Sequence, residues 1–563
     1  MGNGNTQLDR RSFLKRTSAA AGAASIAATA GCLGGENGGD SDIDYDDEED
    51  AGEPFPEYTF YNNPQDYNPQ RHDLINLIAE QWQEVGFDVE VEVLEWATLL
   101  SRVSDEYEFD FAAWSQYQSP DPAENVADRW SPEHAEEPGR GNYNQYQNDR
   151  VGELIDEQLA AEEMEGRVDA FHEIQDILAE DAPFSPVCYE TQLIPYRTDE
   201  LDGWVEHPAG PDRIHQYANV EPMDQNEDGY LRGFWTEALE NLNSWSHEGL
   251  SKHLHIQDAI QLRVAQVDAD LELDPEHGLA QDIERPDETT IRFEIRDDVE
   301  WSDGEPLTPD DVAFTYNTIA EQEPSTYTTV SNYVEGASVD GDWVEVDLSQ
   351  EIGRAALLLI GYEVYVAAEH VWEGTDPVQD ELVEEPVCSG PMEVDYWDVG
   401  QGIELETRDD HPIDLAVDGL FWEIIPESST IWSYTEDGTI NYHPFAQPGL
   451  ELQDGEEEID DFEVFEAPGD GWTHLNINTT SEGLDEVAVR QALVHALPKE
   501  AASEQLFYGY MPVAHSYVAP AFGPLHREHE DLPFTGEGTI AAAASHLQEN
   551  GYVVTEDGVY YSE

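Results

Sequence analysis

Apolar residues recur along the chain at two spacings, one helical and one that alternates as in a strand. The clearest helical stripe consists of five apolar residues: Leu74, Ile75, Ile78, Trp82 and Val85. Gly86 comes directly after this stripe, and a glycine in that place favours the end of a helix. In residues 87–93 apolar residues alternate with Asp and Glu, which predicts a half-buried strand.

The same two patterns continue to the end of the chain. Residues 151–159 and 168–178 are amphipathic at helical spacing, and Pro183 separates the second from an apolar stretch at 184–189. Thr308-Pro309-Asp310-Asp311 predicts a helix start, because it combines a hydroxyl cap, proline in the first turn and acidic side chains near free amides. Residues 552–561 predict a β-hairpin around Glu556-Asp557-Gly558. The sequence therefore predicts a mixed α/β protein.

The first residues have the pattern of an export signal. Arg10-Arg11 precede a weakly apolar run, Ala19–Ala30, which is too short and too rich in alanine to span a bilayer. This pattern is similar to a twin-arginine signal, and Cys32 stands where a lipoprotein signal is cut. We therefore expect residues 1–31 to be a signal, Cys32 to carry lipid, and the Gly- and acid-rich residues 32–53 to form a flexible tether. A buried helix with a chance cysteine is the alternative.

The charge of the chain indicates the medium in which it works. Asp and Glu number 125 against 23 Lys and Arg, so the formal charge is -102. Such a chain repels itself in dilute buffer, whereas molar salt shortens the screening length to about 3 Å. Because the acidic residues are spread along the whole chain, we interpret them as adaptation to high salt, as in a haloarchaeon, rather than as a tail for basic partners. The charge also excludes nucleic acid as a partner.

Two sequence features leave alternatives open. Cys188 and Cys388 are far apart in sequence, so their spacing does not show whether they pair; we expect buried, free thiols. Residues 224–229 resemble the first half of a calcium loop, but the twelfth position is Trp235 instead of a bidentate Glu. We expect a surface turn there, with calcium binding as the lesser alternative, and no metal site or cofactor elsewhere.

Several motifs together resemble one protein family. The most specific is residues 295–312, IRDDVEWSDGEPLTPDDV, and weaker matches are residues 388–392, 475–479, 489–493 and 541–552. They resemble the extracellular solute-binding proteins of family 5, the peptide- and nickel-binding receptors of ABC importers. The resemblance extends over nearly all of residues 54–563. It implies a two-lobed, type II periplasmic-binding-protein fold of the α/β class with an extra subdomain.

The order of the segments differs from that of the family, and the chain therefore looks circularly permuted. Its expected parts follow in chain order: the second half of the C-terminal lobe (54–204), the permutation joint (205–229), the N-terminal lobe with the extra subdomain (230–480), and the first half of the C-terminal lobe (481–563). The new ends of the fold are then expected to lie side by side, as permutation requires. A gene-model error or a truncated longer chain is the alternative.

The resemblance also implies where a ligand binds. The expected ligand-binding residues are Trp96, Arg102, Trp114, Ser115, Gln116, Tyr117, Asp121 and Trp472. Arg102 either holds a ligand carboxylate or forms a surface ion pair, and the two tryptophans near it either flank the ligand or simply pack. Trp472 is expected on the opposite wall. Peptide receptors of the family often carry Asp where this chain has Tyr117, and Asp121 is a displaced candidate for that charge.

These expectations describe a binding protein rather than an enzyme. We expect it to sit on the extracellular face of the cell membrane, to capture an oligopeptide or similar small solute, and to deliver it to permease and ATPase subunits. A sugar or a metal chelate remains open as the ligand. The alternatives are a secreted hydrolase acting on peptides or glycans, and a receptor that presents its ligand to a signalling partner.

Overall fold

A computed structural model of the chain describes residues 43–47, 51–65, 67–118, 121–207, 214–239, 241–245, 255–269, 271–374, 386–444, 446–536 and 538–562. The chain divides into two units, residues 1–43 and 44–563. The predicted signal and Cys32 lie outside the described residues. Among the helices of the described segments, none combines the length and apolar character that a membrane span requires.

Strands and helices alternate through residues 44–563, which confirms the α/β class. The strands are β1 (Ala51–Pro54), β2 (Tyr58–Asn62), β3 (Val89–Val93), β4 (Phe111–Tyr117), β5 (Phe184–Arg197), β6 (Leu201–Asp202), β7 (Glu221–Pro222), β8 (Tyr230–Trp235), β9 (Ala280–Asp287), β10 (Thr290–Ile295), β11 (Val334–Asp340), β12 (Trp343–Leu348), β13 (Met392–Asp398), β14 (Gly402–Thr407), β15 (Gly419–Ile424), β16 (Phe462–Ile477), β17 (Val553–Thr555) and β18 (Gly558–Ser562).

The α-helices are α1 (Pro69–Val85), α2 (Trp96–Leu100), α3 (Pro122–Trp130), α4 (Asp149–Ala160), α5 (Met164–Asp181), α6 (Ile214–Asn219), α7 (Pro309–Gln322), α8 (Thr328–Tyr333), α9 (Glu369–Trp372), α10 (Ser428–Asp437), α11 (Leu450–Glu458), α12 (Val487–His495), α13 (Lys499–Ala501) and α14 (Ile540–Glu549). Shorter π- or 3₁₀-helical segments are Ser101–Asp105, Pro132–Glu136, Ser325–Tyr327, Leu357–Tyr362, Ala502–Leu506, Pro520–Leu525 and His529–Asp531.

Local chemistry explains the predicted helix ends. The side chain of Asn68 accepts a hydrogen bond of 2.9 Å from the Arg71 amide and so caps α1, which ends at Gly86 with a left-handed φ of +112°. At the start of α7, the Asp311 carboxylate accepts hydrogen bonds from the Thr308 amide (2.8 Å) and hydroxyl (3.1 Å). These two predicted boundaries are confirmed.

The five-stranded sheet has the order β3-β2-β4-β16-β5. β2 is parallel to β3 and β4, whereas β16 is antiparallel to both β4 and β5. β16 thus joins residues 462–477 to strands from residues 58–197. The sheet therefore does not follow the predicted boundary at residue 480, because backbone pairing across hundreds of residues is invisible in local sequence.

Two four-stranded sheets lie in the rest of the chain. The β8 sheet has the order β13-β14-β15-β8, with β8 parallel to β15, and the β10 sheet has the order β11-β12-β10-β9. The long strands β5 and β16 connect the five-stranded sheet with the core of the β8 sheet. Phe184 and Trp472 lie in a core shared with α3–α5 and the β10 sheet, whereas Ile194 lies in a core with residues of β8 and β13–β15. The register of this ladder shifts between Pro468 and Trp472.

The two ends of the described fold lie side by side. β1 pairs antiparallel with β18, so that Ala51 is opposite Ser562, and β17 completes this small sheet with the predicted hairpin. The Asp46 amide also donates to the Val554 carbonyl at 2.8 Å. The prediction of a flexible tether up to residue 53 is therefore wrong at its end, because backbone pairing fixes residues 51–53 in a strand.

The structure also bears on the two features left open by the sequence. Cys188 and Cys388 are both buried and free, which confirms the expectation. In the calcium-like loop, the Arg232 side chain donates to Asp228 Oδ1 at 2.6 Å and to Asn226 Oδ1 at 3.2 Å. Because these oxygens already face a cation from their own chain, the geometry favours the surface turn over calcium.

Candidate ligand-binding site

A polar pocket lies where three strands of the five-stranded sheet come together. Ser115 of β4 is directly opposite Thr473 of β16, and their hydroxyl oxygens are 2.8 Å apart. Thr473 Oγ1 donates to Glu190 Oε1 of β5 at 3.2 Å. Because side chains alternate along a strand, these three residues point to the same face of the sheet. One carboxylate therefore stands beside two hydroxyl groups.

The beginning of α1 supplies a cation to the same pocket. Arg71 lines the pocket together with Asn68 and Gln70. Its guanidinium lies 5.1 Å from the ring centre of Trp96, and its Nη1 donates to Asn63 Oδ1 at 3.0 Å. The capped helix start and the aromatic ring together hold this arginine in place.

Another wall comes from later in the chain. Gln447, Pro448, Phe507 and Met511 complete the lining, and the pocket holds about 370 Å³ of empty space, part of it open to solvent. The Gln70 side chain donates to the Pro448 carbonyl at 3.1 Å and so links α1 to this wall. The segment of Gln447 and Pro448 follows the β8 sheet in the chain, so the pocket joins two parts of the fold.

Burial affects both charged groups of the pocket. Burial raises the pKa of Glu190, although hydrogen bonds from Ser115 and Thr473 oppose the rise. Burial also lowers the pKa of Arg71, whereas the nearby Tyr67 and Glu190 side chains raise it. A partly desolvated anion and a partly desolvated cation thus share one pocket, and each would gain from a ligand group of opposite charge.

The structure brings some of the predicted residues to this pocket. Ser115 lines it directly. Trp96 supports Arg71 and contacts Trp114 edge to face, with ring centres 5.9 Å apart. Trp114 itself is buried and packs within a small core. Tyr117, at the end of β4, is 59% exposed, and the negative charge of Glu190 raises its pKa, as do burial and Asp470.

Two other predicted residues are engaged in contacts within the protein. Arg102 Nη1 lies 3.3 Å from the Glu92 carboxylate and 3.2 Å from the Tyr61 hydroxyl. This contact agrees with the surface ion pair that the sequence left open. Gln116 Oε1 accepts a hydrogen bond of 2.5 Å from Arg129, which is fully buried. Neither residue lines the pocket described above.

Asp121 and Trp472 are both buried and make their contacts within the protein. Asp121 is buried, caps α3 through the Ala123 amide (2.8 Å), and accepts two hydrogen bonds from buried Arg167 at 2.7 and 2.9 Å. Its charge is therefore already neutralised inside the protein. Trp472 is fully buried and pairs with Gln116 within the five-stranded sheet, so it does not line an opposite wall.

Sequence reasoning missed the two charged residues of the pocket. Arg71 is one of few cations in a very acidic chain and follows an Asn cap, which together were an available signal. Glu190 interrupts an otherwise apolar strand, and a charge within a buried strand marks an exception that needs a partner. Because 119 residues separate the two, only the fold shows that they meet.

Two long strands extend from the five-stranded sheet to the core of the β8 sheet, and a charged pocket lies beside them. Residues 15–136 and 274–561 match the family described as bacterial extracellular solute-binding proteins, family 5 Middle. Because the match includes more than half of the chain, the chain belongs to this family. Its members are extracellular solute-binding proteins and are not enzymes.

Individual relatives are only partly similar. The probable peptide-binding protein YejA of Agrobacterium fabrum is 29% identical over 149 residues, which are 25% of this chain and 24% of that protein. The oligopeptide-binding protein AppA of Bacillus subtilis is 26% identical over 255 residues, 43% and 44% of the two chains. The chain thus spans less than half the length of these two relatives. The structure of NikZ from Campylobacter jejuni in complex with Ni(L-His) has a TM-score of 0.44 and 18% identity, over 59% of this chain and 65% of NikZ.

Proposed function

We propose that the protein captures a short peptide in the pocket of Arg71 and Glu190 and delivers it to an ABC permease with its ATPase subunits. The observation that carries the proposal is the pair of opposite charges in one pocket. A free peptide bears an ammonium group and a carboxylate, and it therefore offers a partner to each. The names of YejA and AppA as peptide-binding proteins support the same ligand class.

The lining of the pocket fits a small peptide. Glu190 takes the ammonium group, Arg71 takes a carboxylate or carbonyl oxygen, and the hydroxyls of Ser115 and Thr473 serve the peptide bond. The pocket is small and partly open to solvent, and a ligand of two or three residues is therefore the expected size.

Peptide titrations in molar KCl test the proposal. The ligands are a free dipeptide, the same dipeptide with an acetylated amine, and the same dipeptide with an amidated carboxylate, and binding is measured by calorimetry. Glu190→Gln should weaken binding of the free dipeptide by at least about 30-fold, equivalent to about 2 kcal/mol, because the substitution leaves the ammonium group of the ligand without its partner. The acetylated dipeptide should bind wild type and variant about equally.

Arg102→Gln provides the matched control. Arg102 is a half-exposed cation paired with Glu92, and it does not line the pocket. We expect the variant to bind the free dipeptide as the wild type does. Loss of binding in Arg102→Gln, together with normal binding in Glu190→Gln, would show that the ligand lies where the sequence predicted it and not in this pocket.

We also propose that the protein is exported through Arg10-Arg11 and anchored by lipid on Cys32. The support is the signal-like pattern of residues 1–31 and the extracellular description of the family. In a halophilic host, Cys32→Ser should release the protein into the medium. Replacing both arginines by lysine should keep it in the cytoplasm. Retention of Cys32→Ser on the membrane would contradict the anchor.

Circular permutation is our proposal for the order of the segments, and the pairing of β1 with β18 supports it. A rearranged chain that begins at residue 214, and so keeps buried Ile214, Tyr217 and Val220, joins residue 562 to residue 51 and ends at residue 207; it should fold and bind the same dipeptide. Failure to fold with several linker lengths at the new joint would count against the permutation.

A further inference from the structure

A cluster of imidazole and carboxylate groups lies apart from the pocket. His215 Nε2 and His277 Nδ1 each donate to Asp274 Oδ2, both at 2.7 Å. His215 belongs to α6, which lies within the predicted permutation joint, whereas the other two residues lie in the loop before β9. None of the three lines the pocket of Arg71 and Glu190.

The surroundings hold these three side chains in place. Asp274 Oδ1 accepts a hydrogen bond of 2.8 Å from the Glu276 amide, which leaves Oδ2 facing both imidazoles. His207 stacks on His215 with ring centres 4.0 Å apart. The side chains of His215, Asp274 and His277 are only 9%, 12% and 15% exposed, so few water molecules compete for them.

One ring nitrogen of His215 has no partner within the protein. Its Nδ1 is buried and makes no hydrogen bond, and a buried polar atom in that state costs free energy. The contact with Asp274 places the hydrogen on Nε2. A metal ion that binds Nε2 would move this hydrogen to Nδ1, as the second tautomer of the ring allows.

The geometry points to a binding site for one divalent transition-metal ion, for which we name Zn²⁺, held by His215 Nε2, His277 Nδ1 and Asp274 Oδ2. These three atoms lie within 4.8 Å of one another. Among the described residues, they are the group of His, Cys, Asp or Glu side chains that stand close enough to hold one metal ion. Two imidazoles and a carboxylate suit Zn²⁺ better than Ca²⁺ or Mg²⁺, which prefer oxygen ligands. Water completes the coordination.

The contacts need only a small adjustment to accept the ion. Two atoms bound to Zn²⁺ at about 2.0–2.1 Å with tetrahedral angles lie roughly 3.4 Å apart, against the present 2.7 Å. Each imidazole nitrogen therefore needs to move away from Asp274 Oδ2 by less than about 1 Å. The bound ion would link α6 to the loop before β9 and so fasten the predicted joint to the rest of the fold.

Calorimetry with ZnCl₂ tests the site. The wild-type protein is freed of metal with a chelator and titrated in molar KCl with excess Mg²⁺, because Mg²⁺ occupies surface carboxylates but competes poorly for imidazole. We expect one ion per chain, a rise in the melting temperature on binding, and the visible spectrum of four-coordinate cobalt when Co²⁺ replaces Zn²⁺. A wild type without a saturable site above the Mg²⁺ background would overturn the inference.

Variants assign the ion to these residues. His277→Ala removes one ligand and should weaken Zn²⁺ binding by about 100-fold or more. The reason is that removal of a residue that only hydrogen-bonds to a metal ligand already weakens metal binding by about 10–100-fold. Asp274→Asn keeps the shape of the loop and should weaken binding as well, which covers the case in which His277→Ala does not fold. The control is His370→Ala, because His370 forms an exposed pair with Asp303 at 2.8 Å but has no second imidazole. An equal effect of His370→Ala and the two other variants would refute the site.

Discussion

Asp121→Asn separates a structural role of this carboxylate from a role in ligand binding. The buried side chain of Asp121 faces buried Arg167, and the two groups are 2.7 Å apart at their shortest contact. The variant retains the cap of α3, because Asn caps as well as Asp, but it leaves the guanidinium of Arg167 without a charged partner. Breaking a buried pair on one side costs about 3–5 kcal/mol.

Thermal unfolding in molar KCl measures this cost. If the surrounding lobe unfolds as a unit of 150–250 residues, a loss of about 3 kcal/mol lowers the melting temperature by roughly 6–12 °C. Arg102→Gln breaks a solvent-accessible pair of the same chemistry with Glu92, which contributes little to stability and is screened further by salt. We expect that control to melt almost as the wild type does, and both variants to bind the dipeptide when folded.

The opposite result would refute the argument from burial. If Asp121→Asn melts within about 1 °C of the wild type and no longer binds the dipeptide, its carboxylate faces the ligand. The expectation from the sequence would then be right, and the ion pair with Arg167 would have no energetic importance.

Two further predictions concern stability. Burial raises the pKa of Glu124 to about 7, so between pH 4.5 and 7 the native state binds more protons than the unfolded chain, and stability falls as the pH rises through this range. The Glu124→Gln variant should therefore melt at a higher temperature than the wild type at pH 8, where its free energy of unfolding should be larger by up to about 3 kcal/mol. At pH 4 the two proteins should melt at the same temperature. Equal melting temperatures at both pH values would contradict the raised pKa of Glu124. A chain without residues 44–54 should show faster amide exchange in residues 558–562, while exchange in the five-stranded sheet stays unchanged, because β18 loses its partner. Unchanged protection of residues 558–562 would mean that β1 contributes nothing there.

Much of the fold was predictable because its signals are local. The apolar stripe before Gly86, the acidic cap at Thr308 and the turn at Gly558 each depend on a few neighbouring residues. The placement of β16 was not predictable, since a 16-residue strand can pair with any exposed edge and no local pattern chooses β4 and β5. For the same reason the boundary at residue 480 differs from the sheet.

The site was predictable only in part. Trp96, Trp114 and Ser115 come together because they belong to neighbouring segments of one sheet and its loops. The burial of Asp121 was not predictable, since its partner Arg167 is 46 residues away and nothing in the spacing shows that the two are buried together. Glu190 was missed because its chemistry depends on a strand from another part of the chain.

The antiparallel pairing of β1 with β18 has a consequence for biosynthesis. Residues 51–54 leave the ribosome about 500 residues before their partner strand exists, so this edge of the molecule closes only after translation has reached the final hairpin. A nascent chain that stops early keeps its N-terminal strand unpaired. If the protein is exported in the folded state, as we propose, that unfinished edge would distinguish incomplete chains from finished ones before they cross the membrane.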